Sequence, residues 1–483
     1  MKLKSLFSEN NSLSEVELEI KLVPGLPSIH FLGLPDQHMK ESAFRIKTAL
    51  KSQGFDFPKT KQILVNLRPS HIKKNSKGLE LAVAVGILIE TGQLPETLQG
   101  CFYGELSLAG DIFCPPDLSI VGDLKLDGIY TGVLEPAVIS FFLPPSKVGF
   151  SLFVAKELKT FLTPEVLSIV QPLPLKFQRP HRFLDFHLTE EQAEWLKVSA
   201  LGAHSVLFAG PSGTGKTTAA QMIHQLMKLP TREEAAQIQG DDEENPFWRP
   251  LIAPHHSTPK MSLIGGGSKV FSGEIVKAHR GLLLLDEFLE FDKDVIESLR
   301  KPMESEKVQV SRLGKTRNYH FVAQIIATTN LCPCGEWTPD MKELNCSLSM
   351  TRCRSYQSRF SGPIFDRFQM LVFTKKMKNQ LKKFAFERLL DAVEAGRKFA
   401  GENRGQAAGN ANVDLKVITE SMDKFALENY FHLSDLSERR KQSTLRVART
   451  IADLELQPII KAEHLIRASQ WTILNQNKLL RWH

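Results

Sequence analysis

The stretch Gly210-Pro-Ser-Gly-Thr-Gly-Lys-Thr217 is a complete G-x-x-x-x-G-K-(S/T) loop. The run before it, Ser205-Val-Leu-Phe-Ala209, predicts a short buried strand, and residues 218–226 predict a helix. Strand, glycine-rich loop and helix in that order form the setting in which such a loop holds phosphates. Backbone N–H groups from Gly210, Pro211's neighbours, Ser212, Gly213, Thr214 and Gly215 converge on phosphate oxygens, and the helix N-terminus adds its positive end. Lys216 is expected at the β- and γ-phosphates and Thr217 at Mg²⁺. The plain alternative is an ordinary glycine-rich turn, and both the flanks and the next motif argue against it.

Downstream, Gly281-Leu-Leu-Leu-Leu-Asp-Glu287 is an apolar run ending in two carboxylates. Such a run predicts a central parallel strand buried on both faces. It delivers Asp286 and Glu287 to the carboxyl edge of the sheet, where open α/β sheets bind ligands. Asp286 is expected on the Mg²⁺ shell and Glu287 as the group that orients and deprotonates an attacking water. Ile325-Ile-Ala-Thr-Thr-Asn330 predicts a third buried strand. Its terminal Asn330 suits a hydrogen bond to that water or to the γ-phosphate, or else a simple strand-end turn.

Composition sets the limits. The chain has 483 residues, enough for about three domains. It is 42% hydrophobic and 24% charged, which is ordinary for a globular protein. The N-terminus carries no sustained apolar core of a secretory signal. The best candidate span, residues 129–145, contains Glu135 and three prolines, so no membrane segment is expected. Of six cysteines, Cys101 and Cys114 stand apart and the rest lie between 332 and 353, which suits a reducing cytoplasm. A net charge of +7 permits nucleic-acid binding without arguing for it.

Along the chain, residues 1–165 alternate β-like and helical runs. Residues 16–22 and 63–67 predict strands, 36–52 a helix, and 79–91 a helix apolar nearly all round. Residues 166–184 are proline-rich and predict a linker. Residues 185–375 alternate strands and helices, which predicts an α/β core with a parallel sheet. Residues 376–483 predict a helical domain. A Gly/Asn/Ala-rich loop at 401–412 separates one long helix from helices at 413–431, 436–454 and 461–474.

Other constellations are less decisive. In Ser361-Gly-Pro-Ile-Phe-Asp-Arg-Phe368, Arg367 is placed either to reach a neighbouring subunit's nucleotide or to pair locally with Asp366. Cys332, Cys334, Cys346 and Cys353 offer four thiolates to Zn²⁺ at irregular spacing, or are free buried thiols. Residues 265–280 form a flexible basic stretch that includes Lys269 and Lys277. Residues 307–321 predict a β-hairpin with Gly314-Lys315 at the turn and Arg312, Lys315 and Arg317 near the tip. Basic pore loops grip DNA phosphates this way, and soluble hairpins also carry charged tips. His255 and His256 are expected on opposite faces of a strand, which disfavours shared metal ligation.

Taken together, these motifs resemble the magnesium-chelatase-like AAA+ ATPases of the ComM/YifB branch, over nearly the whole chain. The resemblance rests on Phe31-Leu-Gly-Leu-Pro-Asp36, Val65-Asn-Leu-Arg-Pro69, Ala253-Pro-His-His-Ser257, Cys332-Pro-Cys-Gly335, Ser361-Gly-Pro363 with Asp366-Arg367, and Val447-Ala-Arg-Thr-Ile-Ala-Asp453. It implies homohexameric rings using ATP and Mg²⁺, with Arg367 as arginine finger and Arg439 as the lid arginine that senses nucleotide. It also implies a Lon-protease-like N-terminal domain, and for ComM members a DNA helicase that drives branch migration as transforming DNA integrates. Three departures stand out, one being that the segment Thr231 to Pro250 is short and acidic for the family. Leu348 occupies the place of a second Cys-x-Cys partner, and Lys77-Gly-Leu-Glu-Leu-Ala82 offers no serine nucleophile, so the domain is expected to be non-proteolytic.

The expected activity is therefore ATP-driven translocation on single-stranded and branched DNA, in the cytoplasm and without membrane attachment. The rivals are a chelatase motor subunit and an ATP-dependent protein remodeller or protease. ATPase stimulation by DNA separates the first from both others.

Overall fold

The computed structural model describes residues 1–9, 12–32, 39–68, 78–98, 100–115, 118, 126, 128–133, 151–162, 168–169, 179, 185–235, 237–238, 248–266, 271–305, 307–312, 315–335, 348–357, 359, 362–376, 382–406, 409–431 and 436–475. The chain divides into two compact units, Met1–Lys176 with Thr231–Gln237, and Phe177–Pro230 with Ile238–His483. Most of the expected linker lies outside the described residues.

In the first unit, the alternation at 16–22 becomes the middle of a long strand, Ser12–Pro24, paired antiparallel with Lys2–Glu9 and Lys61–Arg68. Val16, Leu18 and Ile20 are buried together with Ile63, Val65 and Leu67, so one face of the sheet is apolar. Helix Leu79–Glu90 covers that face and is buried at every position from Leu79 to Ile89, as its all-round apolarity requires. It lies close on the sheet at Gly86, where a Cβ would fall 2.3 Å from the Ile20 Cδ1. Five further strands complete an eight-stranded mixed sheet.

The second unit is built on a five-stranded parallel sheet. Its order is Leu251–Ile252, Leu282–Leu285, Gln324–Thr329, Val206–Ala209, Met370–Phe373. Successive side chains leave a strand on opposite faces. Val206, Phe208, Leu282 and Leu284 accordingly join one core, with helices Glu190–Gly202, Lys216–Gln225 and Glu438–Leu454. Leu207, Ala209, Leu283 and Leu285 join the other, with Phe288, Leu299 and Phe368. Burial on both faces explains why these strands read as unbroken apolar runs.

The C-terminal helices of this unit are Phe386–Arg404, Leu415–Thr419, Lys424–Phe431, Glu438–Leu454 and Ala462–Ser469, the last running into a π-helical turn, Gln470–Leu474. The single helix expected at 413–431 is two. Thr419 and Ser421 hydroxyls bond back to carbonyls of the preceding turn, and Met422 bridges to Ile460. Asp423 then starts the next helix by accepting from the Ala426 N–H. Within Val447–Asp453, Arg449 and Asp453 are wholly buried and pair at 3.0 Å. Asp453 also takes Arg404 at 2.7 Å and Asn410 at 2.8 Å, tying helix Phe386–Arg404 and the following loop to helix Glu438–Leu454. That motif is a structural staple. Among the described residues no helix is long and apolar enough to cross a membrane.

Candidate nucleotide site

Strand Val206–Ala209 ends in the phosphate loop, and helix Lys216–Gln225 starts at its lysine. Gly213 and Gly215 hold φ of +72° and +80°, the left-handed region in which only glycine is unstrained. The Lys216 ammonium donates to the carbonyls of Gly210 at 2.9 Å and Pro211 at 2.8 Å and to Asn330 Oδ1 at 3.0 Å. Burial lowers the pKa of Lys216, while Asp286 and Glu287 pull it back up. A bound polyphosphate would replace those acceptors. The Thr217 hydroxyl lies 3.2 Å from Asp286, across the end of strand Leu282–Leu285. These are hard oxygen donors of the kind Mg²⁺ takes, so the pair fits that ion. The loop, Asp286, Glu287 and Asn330 line one cavity of about 280 Å³.

Thr328 was not marked by the sequence reading. Its hydroxyl donates to Asp286, and it accepts from the Glu287 backbone N–H at 3.2 Å. It sits one strand over, two residues before Asn330, and only the sheet order brings it in. Glu287 itself has a left-handed backbone, φ 52°, and its carboxylate lies 3.2 Å from His256 Nδ1. His255 and His256 do not face apart as expected. They lie three and four residues past Ile252, outside the strand, where strand alternation no longer applies, and their rings lie 4.2 Å apart.

Arg367 and Arg439 are elsewhere. Neither lines the phosphate cavity, and both pair with Glu304, at the end of helix Arg300–Glu304. The next residue, Arg440, was also unmarked. It is buried and binds Asp366 at 3.0 Å and the Phe368 and Thr472 carbonyls at 3.1 Å, locking the Arg367 turn to helix Glu438–Leu454. Asp366 thus pairs with Arg440 and leaves Arg367 to Glu304. Two adjacent arginines at a helix start were the only sequence signal.

The hairpin forms from Lys307–Arg312 and Lys315–His320, with Arg312 opposite Lys315. Lys315 is therefore the first residue of the return strand, not part of the turn, because an even pairing leaves two residues between the strands. Arg317 sits opposite Val310. Described parts of the stretch at 265–280, expected to be flexible, take regular structure. Gly265–Gly266 pairs with Phe271–Ser272, and a helical turn, Glu274–Lys277, follows with Lys277 exposed. Lys269 and Cys346 lie outside the described residues. The Cys332 and Cys334 thiols are 2.8 Å apart and Cys353 is buried in the same core. Among the described residues these three thiols do not converge as a three-ligand group, so they form no Zn²⁺ site by themselves.

In the first unit, Glu80 lies in the first turn of helix Leu79–Glu90. It is buried and accepts from Ser42 at 2.8 Å, Arg45 at 3.0 Å and the Leu106 N–H at 2.9 Å. Burial raises its pKa against the pull of these donors.

Three family descriptions match the chain in tandem. Subunit ChlI of Mg-chelatase matches residues 18–118, magnesium chelatase subunit ChlI residues 183–382, and the ChlI C-terminal part residues 386–471. The chain belongs to the magnesium-chelatase-like family. Competence protein ComM of Haemophilus influenzae is 29% identical over 94% of this chain and 93% of its own. The protein named YifB of Salmonella typhimurium is 27% identical, covering 95% and 94%. An uncharacterized Mycobacterium bovis protein is 27% identical, covering 91% and 92%. The ComM/YifB branch of the family is thus the chain's own, and with it comes an AAA+ ATPase-type core that uses ATP and Mg²⁺.

Proposed function

We propose that the protein is a homohexameric, ATP-driven DNA translocase that moves branch points in cytoplasmic DNA. The observation that carries the reading is that the phosphate-loop cavity and the two arginines lie apart on a subunit. Lys216, Thr217, Asp286, Glu287 and Asn330 share a cavity that Arg367 and Arg439 do not line. A guanidinium that serves a nucleotide from such a position serves a neighbour's, which calls for a ring. Lys216 then binds the β- and γ-phosphates, and Thr217 with Asp286 holds Mg²⁺, which shields the phosphate charge. Glu287 orients the water and takes its proton, and Asn330 fixes the water or the γ-phosphate. Arg367 stabilises charge on the transferring phosphoryl group.

DNA as substrate is supported by a competence protein among the relatives and by the hairpin Lys307–His320. Arg312, Lys315 and Arg317, with Lys269 and Lys277 of the neighbouring stretch, supply cations for backbone phosphates. The N-terminal unit is then a Lon-protease-like domain without proteolytic activity, since Lys77-Gly-Leu-Glu-Leu-Ala82 offers no serine nucleophile. ATPase rate is the test, measured alone, with single-stranded DNA and with branched DNA. Stimulation greatest with branched DNA is expected. A rate indifferent to DNA would instead favour a chelatase motor, the activity named by the family descriptions.

A further inference from the structure

Arg367 and Arg439 share a single acceptor. Arg367 Nη2 lies 2.5 Å from Glu304 Oε1, and Arg439 Nη2 pairs with the same oxygen. Arg367 Nη1 also donates to the Pro363 carbonyl, while its buried Nε has no hydrogen-bond partner. Glu304, Asp366, Arg367, Arg439 and Arg446 line a cavity of about 410 Å³. One carboxylate oxygen serving two guanidiniums leaves the cluster short of acceptors. A terminal phosphate, with three oxygens and about two negative charges, satisfies two guanidiniums better.

We infer that Glu304 is a placeholder for the neighbouring subunit's terminal phosphate. It holds Arg367 and Arg439 together while the interface is empty, and it gives them up when nucleotide arrives. This rests on the ring reading above. It adds a competitor to the site, and one attached to the DNA-facing hairpin. Ser305 donates to the carbonyls of both Lys301 and Lys307 at 3.0 Å, and Lys307 is the first paired residue of that hairpin. Loss of the arginines therefore frees Glu304, the residue directly before the Ser305 anchor, which links the neighbour's nucleotide to the base of this subunit's hairpin.

A competitor and a merely structural acid differ in sign. The test uses the full chain, with Glu304→Gln, Glu304→Asp and Arg367→Ala variants, and a fluorescent non-hydrolysable ATP analogue. Affinity is measured at concentrations where light scattering reports hexamers and again where it reports monomers. In hexamers Glu304→Gln should bind the analogue about threefold to tenfold more tightly than wild type. Glu304→Asp, too short to span both guanidiniums, should tighten it less. In monomers neither change should matter, because neither arginine lines its own subunit's phosphate cavity. In an Arg367→Ala background most of the tightening should vanish. Unchanged or weaker binding by Glu304→Gln hexamers, with Arg367→Ala still weakening it, overturns the inference and leaves the ring reading intact. Absence of hexamers at any concentration, or an Arg367→Ala variant that binds like wild type in them, overturns both.

Discussion

Glu287 holds a backbone conformation that costs a non-glycine residue about 1–2 kcal/mol. The strain sits two residues past the apolar strand, at the carboxylate proposed as the base, and is held by the N–H bond to Thr328. Replacing the carboxylate by an amide keeps the shape and removes the base. Glu287→Gln should lower kcat by roughly 100-fold or more while nucleotide affinity stays within about threefold. Single-turnover hydrolysis checks this, and a wild-type rate would remove Glu287 from its role. A second residue governs pH dependence. His204 is wholly buried, 2.8 Å from both Gln369 Oε1 and Thr450 Oγ1. Burial pushes it down to about 4 from the usual 6.5. The unfolded chain takes up its proton near 6.5 while the folded chain resists until about pH 4. Stability is therefore full above 6.5 and is lost as pH falls, by on the order of 3 kcal/mol by pH 4. Urea melts of His204→Gln should be weaker at pH 7 and flatter across this window. An equal slope in both proteins would count against it. Residues with a local signature, such as Lys216, Asp286 and Glu287, were legible in the sequence. Thr328, Arg440 and Glu304 were not, because each acquires its partners only through contacts between distant segments.

At the scale of elements, apolar patterning carried most of the information. The parallel strands and helix Leu79–Glu90 declared themselves by unbroken hydrophobicity, since both faces are covered. Turns and breaks were less visible. The split at Glu420–Asp423 depends on a bridge to Ile460, and the hairpin register on a pairing that hydropathy does not specify. The register places Arg312 and Lys315 opposite one another next to the turn, with Arg317 two residues on. Replacing all three by alanine should weaken DNA binding and reduce the slope of log affinity against log salt by up to about three phosphate contacts. ATPase without DNA should remain within about twofold of wild type, because the phosphate cavity is untouched. Salt titrations of fluorescent single-stranded DNA provide the measurement. An unchanged slope would take the hairpin out of the DNA path.

For the whole molecule, the proposed composite site makes a specific demand on mixtures. Arg367→Ala and Lys216→Ala should each be inactive as pure rings, by about 100-fold or more. Mixed in equal amounts, they should regain part of the activity. A Lys216→Ala subunit still supplies its arginine, and an Arg367→Ala subunit still supplies its loop. Activity that does not rise on mixing would place both halves of the site in one subunit. Strand displacement from a fluorescently labelled four-way DNA junction tests the central claim most directly, followed in time with ATP and Mg²⁺. The wild-type protein should resolve the junction into two duplexes at a rate that depends on ATP, while Glu287→Gln binds the junction and leaves it intact. A wild-type protein that hydrolyses ATP beside the junction without moving its branch point would contradict the account.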